Sequence, residues 1–269
     1  MRISRRTMIL SATMAARVGV TGALAAEPPA ASLLATYQRL RGAPNAGLAL
    51  WWYTGNVWGK TPEDVARVYF KVCGLTYQRL TPNADGTVTQ AMAGRGYYGD
   101  PVTGQPLDAW INRLTTERLD PPHVKSRQVQ QVSIDGQVTR ADATDRLLLF
   151  EGGLSTPITE GDSLWQTENY VAKTRPGDTR SASLGTTSSL TTFTARIADV
   201  MNTRADFVPC YLNYQSLGSW PAWMKMGDRP GVLSWQTYGH KVRAADVAAG
   251  PLRTWIEAHH PGFLANPGI

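Results

Sequence analysis

Beyond the first forty or so residues the chain alternates apolar and polar positions in short runs separated by Gly, Pro, Asn or Asp. The runs are "GLALWWYTGNVWG", "RVYFKVCGLTYQRL", "GTVTQAMAGRGYY", "RQVQQVSI", "QVTRADA", "RLLLF", "SLWQTENYVAK", "LTTFTARIADV", "FVPCYLNYQSLG" and "GVLSWQTYGHKV". A period of two built from β-branched and aromatic side chains fits a pleated, half-buried surface, so each run is expected to be a strand. Asp135-Gly136 between two runs, and Asn83-Ala84-Asp85-Gly86 after Pro82, carry hairpin chemistry, because Asp and Asn tolerate turn geometry and Gly supplies positive φ. Helical spacing is confined to "SLLATYQRLRG" (32–42), which stops at Gly42, and to "AADVAAGPLRTWIEAHH" (244–260). Alternating strand–helix units are missing, which speaks against a parallel doubly wound sheet. The pattern predicts a mainly β, antiparallel barrel or sandwich with short N- and C-terminal helices. The Ser/Thr-rich stretch 179–193 reads as a mobile loop. No internal repeat or linker divides residues 27–269, which read as one β-rich domain.

Composition changes this picture little. With 269 residues, 42% hydrophobic and 18% charged, the chain is of an ordinary globular kind and can bury a sizeable core. Residues 1–26 stand apart. A basic start, a weakly apolar run and Ala23-Leu24-Ala25-Ala26 have the form of a cleavable signal peptide, and Ser4-Arg5-Arg6-Thr7 gives it twin-arginine character. The expected location is therefore the periplasm, with the twin-arginine export machinery as a partner. Of the net charge of +6, Arg2, Arg5, Arg6 and Arg17 precede the cleavage region with no acidic residue among them, leaving +2 on the mature chain. That removes the case for nucleic acid. Cys73 and Cys210 lie far apart, and a disulfide and two buried thiols are both compatible with export of a folded chain.

Several motifs are decoys. Gly94-Arg95-Gly96-Tyr97-Tyr98-Gly99 has the letters of a dinucleotide fingerprint. Asp100-Pro101 follows it, so no helix can start there to hold a pyrophosphate. The four histidines, His123, His240, His259 and His260, form no HExxH and no close Cys/His pair, so no metal site and no cofactor is expected. A G-x-S-x-G elbow is missing. What remains is a polar set among aromatics: Tyr97, Tyr98, Asp100, His123, Asp228, Arg229, Tyr238 and His240, beside tryptophan-rich strands. The plain alternative makes Asp228 and Arg229 a turn ion pair and the tyrosines edge residues. The segment "GSWPAWMKMGDRPG" (218–231) is too apolar to be a free loop and must lie on a core, a pocket or a partner.

"WWYTGNVWG", "GRGYYGDPVTGQPLDAWINRLTTERLDPPHV" (94–124) and "GSWPAWMKMGDRPGVLSWQTYGHK" resemble, in the same order, segments of a family of exported bacterial proteins carrying the domain of unknown function DUF1838. The resemblance spans most of the mature chain and implies a β-rich, lipocalin-like fold. It implies no activity. In a barrel, the Trp220–Met226 segment joins the last two strands and would close one mouth, as a structural plug or as a ligand lid.

Two functional readings follow. In the first, the protein is a cofactor-independent enzyme, a lyase, isomerase or hydratase, working by acid–base chemistry on a small apolar or aromatic compound, with hydrolysis a further option. His123 or His240 is then the base, Tyr97 or Tyr98 the hydrogen-bond donor to a developing oxyanion, and Asp228 or Arg229 fixes charge. Trp51, Trp220, Trp223, Met226 and Tyr238 line the substrate pocket. In the second, the same pocket binds a small hydrophobic ligand in the periplasm without turnover. A structural protein would instead expose the Trp220–Met226 cluster. The polar groups at the pocket floor discriminate between the first two.

Overall fold

A computed structural model describes residues 31–140, 147–174, 185–243 and 250–269. Residues 1–26, expected from the sequence to be a signal peptide, residues 179–184 of the Ser/Thr-rich stretch and residues 244–249 of the C-terminal helical pattern lie outside the described residues. Helix α1 (Ala31–Arg41) leads into β1 (Leu48–Lys60), β2 (Arg67–Pro82) and β3 (Val88–Gly99). A two-stranded ribbon of β4 (Trp110–Ile111) and β5 (Arg118–Leu119) precedes β6 (Val124–Val132), β7 (Gln137–Arg140), β8 (Leu147–Leu154), β9 (Ile158–Glu160) and β10 (Ser163–Thr174). Then come β11 (Thr186–Arg196), α2 (Ile197–Met201), β12 (Tyr211–Gly218), β13 (Val232–Val242) and α3 (Pro251–His259). Ten strands close into an antiparallel barrel in the order β1-β2-β3-β6-β7-β8-β10-β11-β12-β13, with β13 returning to β1. Closure leaves the ring without a free edge. Of the two architectures the alternation allows, the chain forms the barrel.

Both hairpin signals act as read. Gly136 takes φ +85° between β6 and β7, and Gly86 takes φ +81° between β2 and β3. Stretch 179–193 departs from its reading, since Thr186–Arg196 is β11, paired with β10 on one side and β12 on the other. Thr and Ser occupy both faces of this strand, so it lacks an apolar stripe, yet β-branched Thr suits the pleat. The run "LTTFTARIADV" is strand only to Arg196, where α2 begins.

Three apolar clusters fix the architecture. At one end α1 plugs the barrel, with Tyr37 and Leu40 fully buried against Ala49, Trp51, Leu80, Val88, Val132 and Phe193. The opposite end is filled by Val57, Phe70, Tyr98, Trp110, Trp220, Met224, Met226 and Leu233. On the outer wall, α3 and Phe263 cover Leu50, Leu75, Tyr77, Ala93 and Tyr97 of β1–β3. The plugging helix is anchored by Lys241, whose Nζ donates to the carbonyls of Arg39 and Gly42 at 3.0 and 2.8 Å, at the carboxyl end of α1 where a cation is favoured.

Candidate functional site

Between the two plugs the barrel lumen holds a partly open cavity of about 380 Å³, within the range of small-molecule sites. Its floor, on the α1 side, is polar. Arg41, the last residue of α1, points inward and forms an ion pair with Glu168 of β10, the two side chains 8% and 2% exposed. Arg41 also donates to Gln78 Oε1 at 2.8 Å and to the Tyr37 hydroxyl at 2.9 Å, and its guanidinium lies 5.2 Å from the Phe193 ring centre. Tyr37 reaches Glu168 Oε2 at 3.1 Å and Gln90 at 2.6 Å. In the amide orientation that satisfies both its ends, Gln90 accepts from Arg41 Nε and Nη2 at 3.0 and 2.8 Å. A buried pair tied down this thoroughly meets the condition under which interior charges are tolerated. Gln130 of β6 completes the floor.

The opposite half is aromatic. Tyr53, Tyr98, Tyr170, Tyr214 and Trp235 face one another across the barrel. Burial pushes the Tyr98 phenol up to about 12 and raises Tyr53 and Tyr170 in the same direction, so all three hydroxyls stay protonated and can donate at neutral pH. Gly74 makes room for Tyr53: a Cβ there would come within 2.3 Å of its hydroxyl oxygen. Above Tyr98 lies the cap. Trp223 packs 6.0 Å from the Tyr98 ring and 5.7 Å from Phe70, and Trp220 stacks on Tyr69 at 6.1 Å and 7°. Asn112, fully buried in the 94–124 block, donates from Nδ2 to the Met224 carbonyl at 2.8 Å. The two long blocks 94–124 and 218–231 are therefore one cap built from two loops. Gly231, at φ +150°, passes under the Trp220 indole where a Cβ would lie 2.4 Å from the ring.

The residues singled out in the sequence divide by strand phase. Trp51 and Tyr98 face the cavity, while Trp220, Trp223 and Met226 sit in the cap behind it. Their immediate neighbours point the other way. Tyr97 lies on the outer wall beneath α3, 5.5 Å from Trp255. His240 is exposed on the outside of β13, 5.3 Å from the Trp52 ring, and Tyr238 beside it is 53% exposed. His123 Nδ1 accepts from the Tyr98 N–H at 3.2 Å, but its ring packs against Trp255 of α3, outside the barrel. Burial and the neighbouring His259 hold its pKa below the ordinary value. Asp228 and Arg229 are on the exposed turn after the cap, and Asp100 caps its own turn by accepting from the Val102 and Thr103 amides. The expected constellation of His123, His240 and a tyrosine at one pocket floor is not assembled, because a period of two sends alternate side chains to opposite faces of the wall.

Residues Gly94–Gly99 form the end of β3, followed by a turn, so no helix terminus is present for a phosphate. Among the described residues, no three His, Cys, Asp or Glu side chains group as a metal site. Cys73 and Cys210 are both free thiols, pushed up by burial to about 11 and about 12.

The groups that make the floor, Tyr37, Arg41, Gln78, Gln90, Gln130 and Glu168, escape a reading that follows hydrophobicity. Their signal is a phase relation: Thr76 and Gln78, or Ser126, Gln128 and Gln130, share the parity of inward residues such as Leu80 and Val132. Polar side chains in register with core positions mark a barrel with a partly polar lumen. A comparison with curated proteins returns no match. Residues 46–268, nearly the whole chain, match the family model described as "Protein of unknown function (DUF1838)", and the chain, with its two-loop cap and ten-stranded barrel inside that span, belongs to this family.

Proposed function

We propose that the protein is a binding module that holds a small, largely aromatic ligand inside the barrel, and that it does so in the periplasm after twin-arginine export. One observation carries the reading: a cavity of about 380 Å³ that is aromatic at one end and at the other is lined by polar groups organised around the Arg41–Glu168 pair, with the two-loop cap packed behind Tyr98. Apolar walls with a few fixed polar groups are the ordinary make-up of a ligand site. The described lining contains no histidine, which favours retention of a ligand over the lyase or isomerase reading, whose base is His123 or His240.

The test is a titration with N-phenyl-1-naphthylamine, an uncharged probe that brightens in apolar surroundings. One saturable site per chain is expected. A linear, non-saturating signal would count against the proposal. The location is checked separately: Arg5→Lys with Arg6→Lys is expected to leave the precursor in the cytoplasm, and undiminished periplasmic yield would remove that part of the reading.

A further inference from the structure

Strand β6 starts late, and Pro122 is the reason. Carrying the β3–β6 register past its last pair, Gly96 and Val124, sets Tyr98 opposite Pro122, which has no N–H to give to a ladder. Both backbone groups of Tyr98 find substitutes. Its carbonyl accepts from the Leu107 N–H at 3.0 Å, and its N–H donates to His123 Nδ1 at 3.2 Å. A side chain on the outer wall thus holds the backbone from which Tyr98 projects into the lumen, its ring 5.2 Å from Phe70 and 6.0 Å from Trp223. Leu107 and His123 both belong to the 94–124 block that forms half of the cap.

This bond fixes the protonation state of His123. A ring nitrogen that accepts a backbone N–H carries no hydrogen, so the neutral ring is the Nε2–H tautomer. A second proton can go only to Nδ1. Two donors then face each other, and the ring can no longer hold the Tyr98 amide.

The surroundings resist that proton. His123 is partly buried, and its ring meets the Trp255 ring of α3 at 5.0 Å. His259 and His260 lie against the same indole at 4.5 and 5.5 Å, so three imidazoles surround one tryptophan. Arg95 of β3 and Lys125 of β6 add positive charge beside His260, whereas Asp108 favours the charged form of His123. On α3 itself Arg253 and Glu257 pair with each other. Burial first, then the neighbouring His259, holds His123 below the ordinary imidazole value. The folded chain therefore refuses a proton that the unfolded chain accepts near pH 6.5, and the stability tied to this contact is lost as pH falls below about 6.5.

We propose that His123 is a proton-operated latch on the cap: neutral, it pins Tyr98 and the 94–124 block to the barrel wall; protonated, it releases both and loosens the cap over the lumen. The latch acts whether or not the lumen holds a ligand.

Amide hydrogen exchange of the ligand-free protein, followed by NMR, tests it. The protection factor of the Tyr98 amide is expected to fall about tenfold or more between pH 7.5 and pH 5, with a midpoint that matches the titration of the His123 ring. His123→Asn places a carbonyl oxygen that does not titrate near the Nδ1 position and is expected to keep Tyr98 protected at both pH values. His259→Gln with His260→Gln is expected to retain the fall and to move it to higher pH, since two neighbouring positive charges are gone. Undiminished protection of wild-type Tyr98 at pH 5, or a midpoint that differs from that of His123, overturns the proposal. So does a fall in His123→Asn as large as in the wild type, or its disappearance in the His259, His260 double variant, which would assign it to α3. Should His123→Asn fail to fold, the comparison of midpoints in the wild type decides.

Discussion

Arg41→Met is expected to destabilise the protein by about 3–5 kcal/mol, because it leaves the Glu168 carboxylate buried without its partner. Glu168 is 2% exposed and sits in the interior wall, where its carboxylate has given up most of its hydration in exchange for the guanidinium. Arg41 also supplies donors to Gln78 and to the Tyr37 hydroxyl, and its loss loosens the seating of α1. The double variant Arg41→Met, Glu168→Leu removes both charges and is expected to recover part of the loss. Full recovery is not expected, because Tyr37, Gln78 and Gln90 then lose partners of their own. Urea denaturation of the two single variants and the double variant gives the coupling directly. Strictly additive losses would show that the pair is not the unit that holds the floor.

Alkaline pH is expected to open the barrel. Tyr37, Tyr53, Tyr98 and Tyr170 all have phenol pKa values raised by burial, with Tyr98 at about 12. The folded chain therefore keeps protons that the unfolded chain releases near pH 10, and stability present below pH 10 is lost as pH rises toward the folded values. Each such group contributes roughly 1.4 kcal/mol per pH unit within that window, on the order of 4 kcal/mol at pH 11 for Tyr53, Tyr98 and Tyr170 together, with Tyr37 acting in the same direction. Cys73 and Cys210, raised to about 11 and about 12, act in the same direction from about pH 9. Lys241 acts oppositely. Burial holds it at about 8, so the unfolded chain binds its proton more tightly and stability from this group rises between about pH 8 and 10.5. The opposing contributions place the steep fall above pH 10. Denaturation at pH 7, 9 and 11, followed with tyrosinate absorbance, is expected to show ionisation of the buried phenols coinciding with unfolding. Smooth ionisation of every tyrosine near pH 10 with the fold intact would contradict the burial of this cluster.

Much of the fold is legible in the sequence for local reasons. Runs such as "GLALWWYTGNVWG" combine aromatic and β-branched residues with alternation, and Gly86 and Gly136 occupy the positive-φ turn positions that two hairpins need. β11 is harder to see because Thr and Ser occupy both its faces, and the pairing that makes it a strand comes from β10 and β12, far away in sequence. The cap is partly legible, since an apolar loop between prolines must be covered, whereas its partner Asn112 is visible only in three dimensions. The site divides at single residues. Tyr97 and Tyr98 look equivalent in the chain, yet one lies under α3 and the other lines the cavity. Deciding between them needs the absolute phase of β3, which is set by Gln90 and Met92 facing inward, and polar inward residues disguise that phase. Histidine attracts attention by its chemistry, but the interior of this barrel is organised by an arginine, a glutamate and amides, whose pairing spans more than a hundred residues of sequence.

The central claim, that the lumen is a ligand site, is tested most directly by repeating the N-phenyl-1-naphthylamine titration on a barrel whose cavity has been filled from within. Thr191 of β11 and Ser126 of β6 both line the cavity with small side chains. Thr191→Trp and Ser126→Phe occupy it from different strands without touching the outer surface or the cap. Saturable binding in the wild type that is lost in both filled variants, with their cooperative thermal unfolding retained, is the predicted result. Undiminished saturable binding in both folded variants would place the probe outside the barrel and contradict the account.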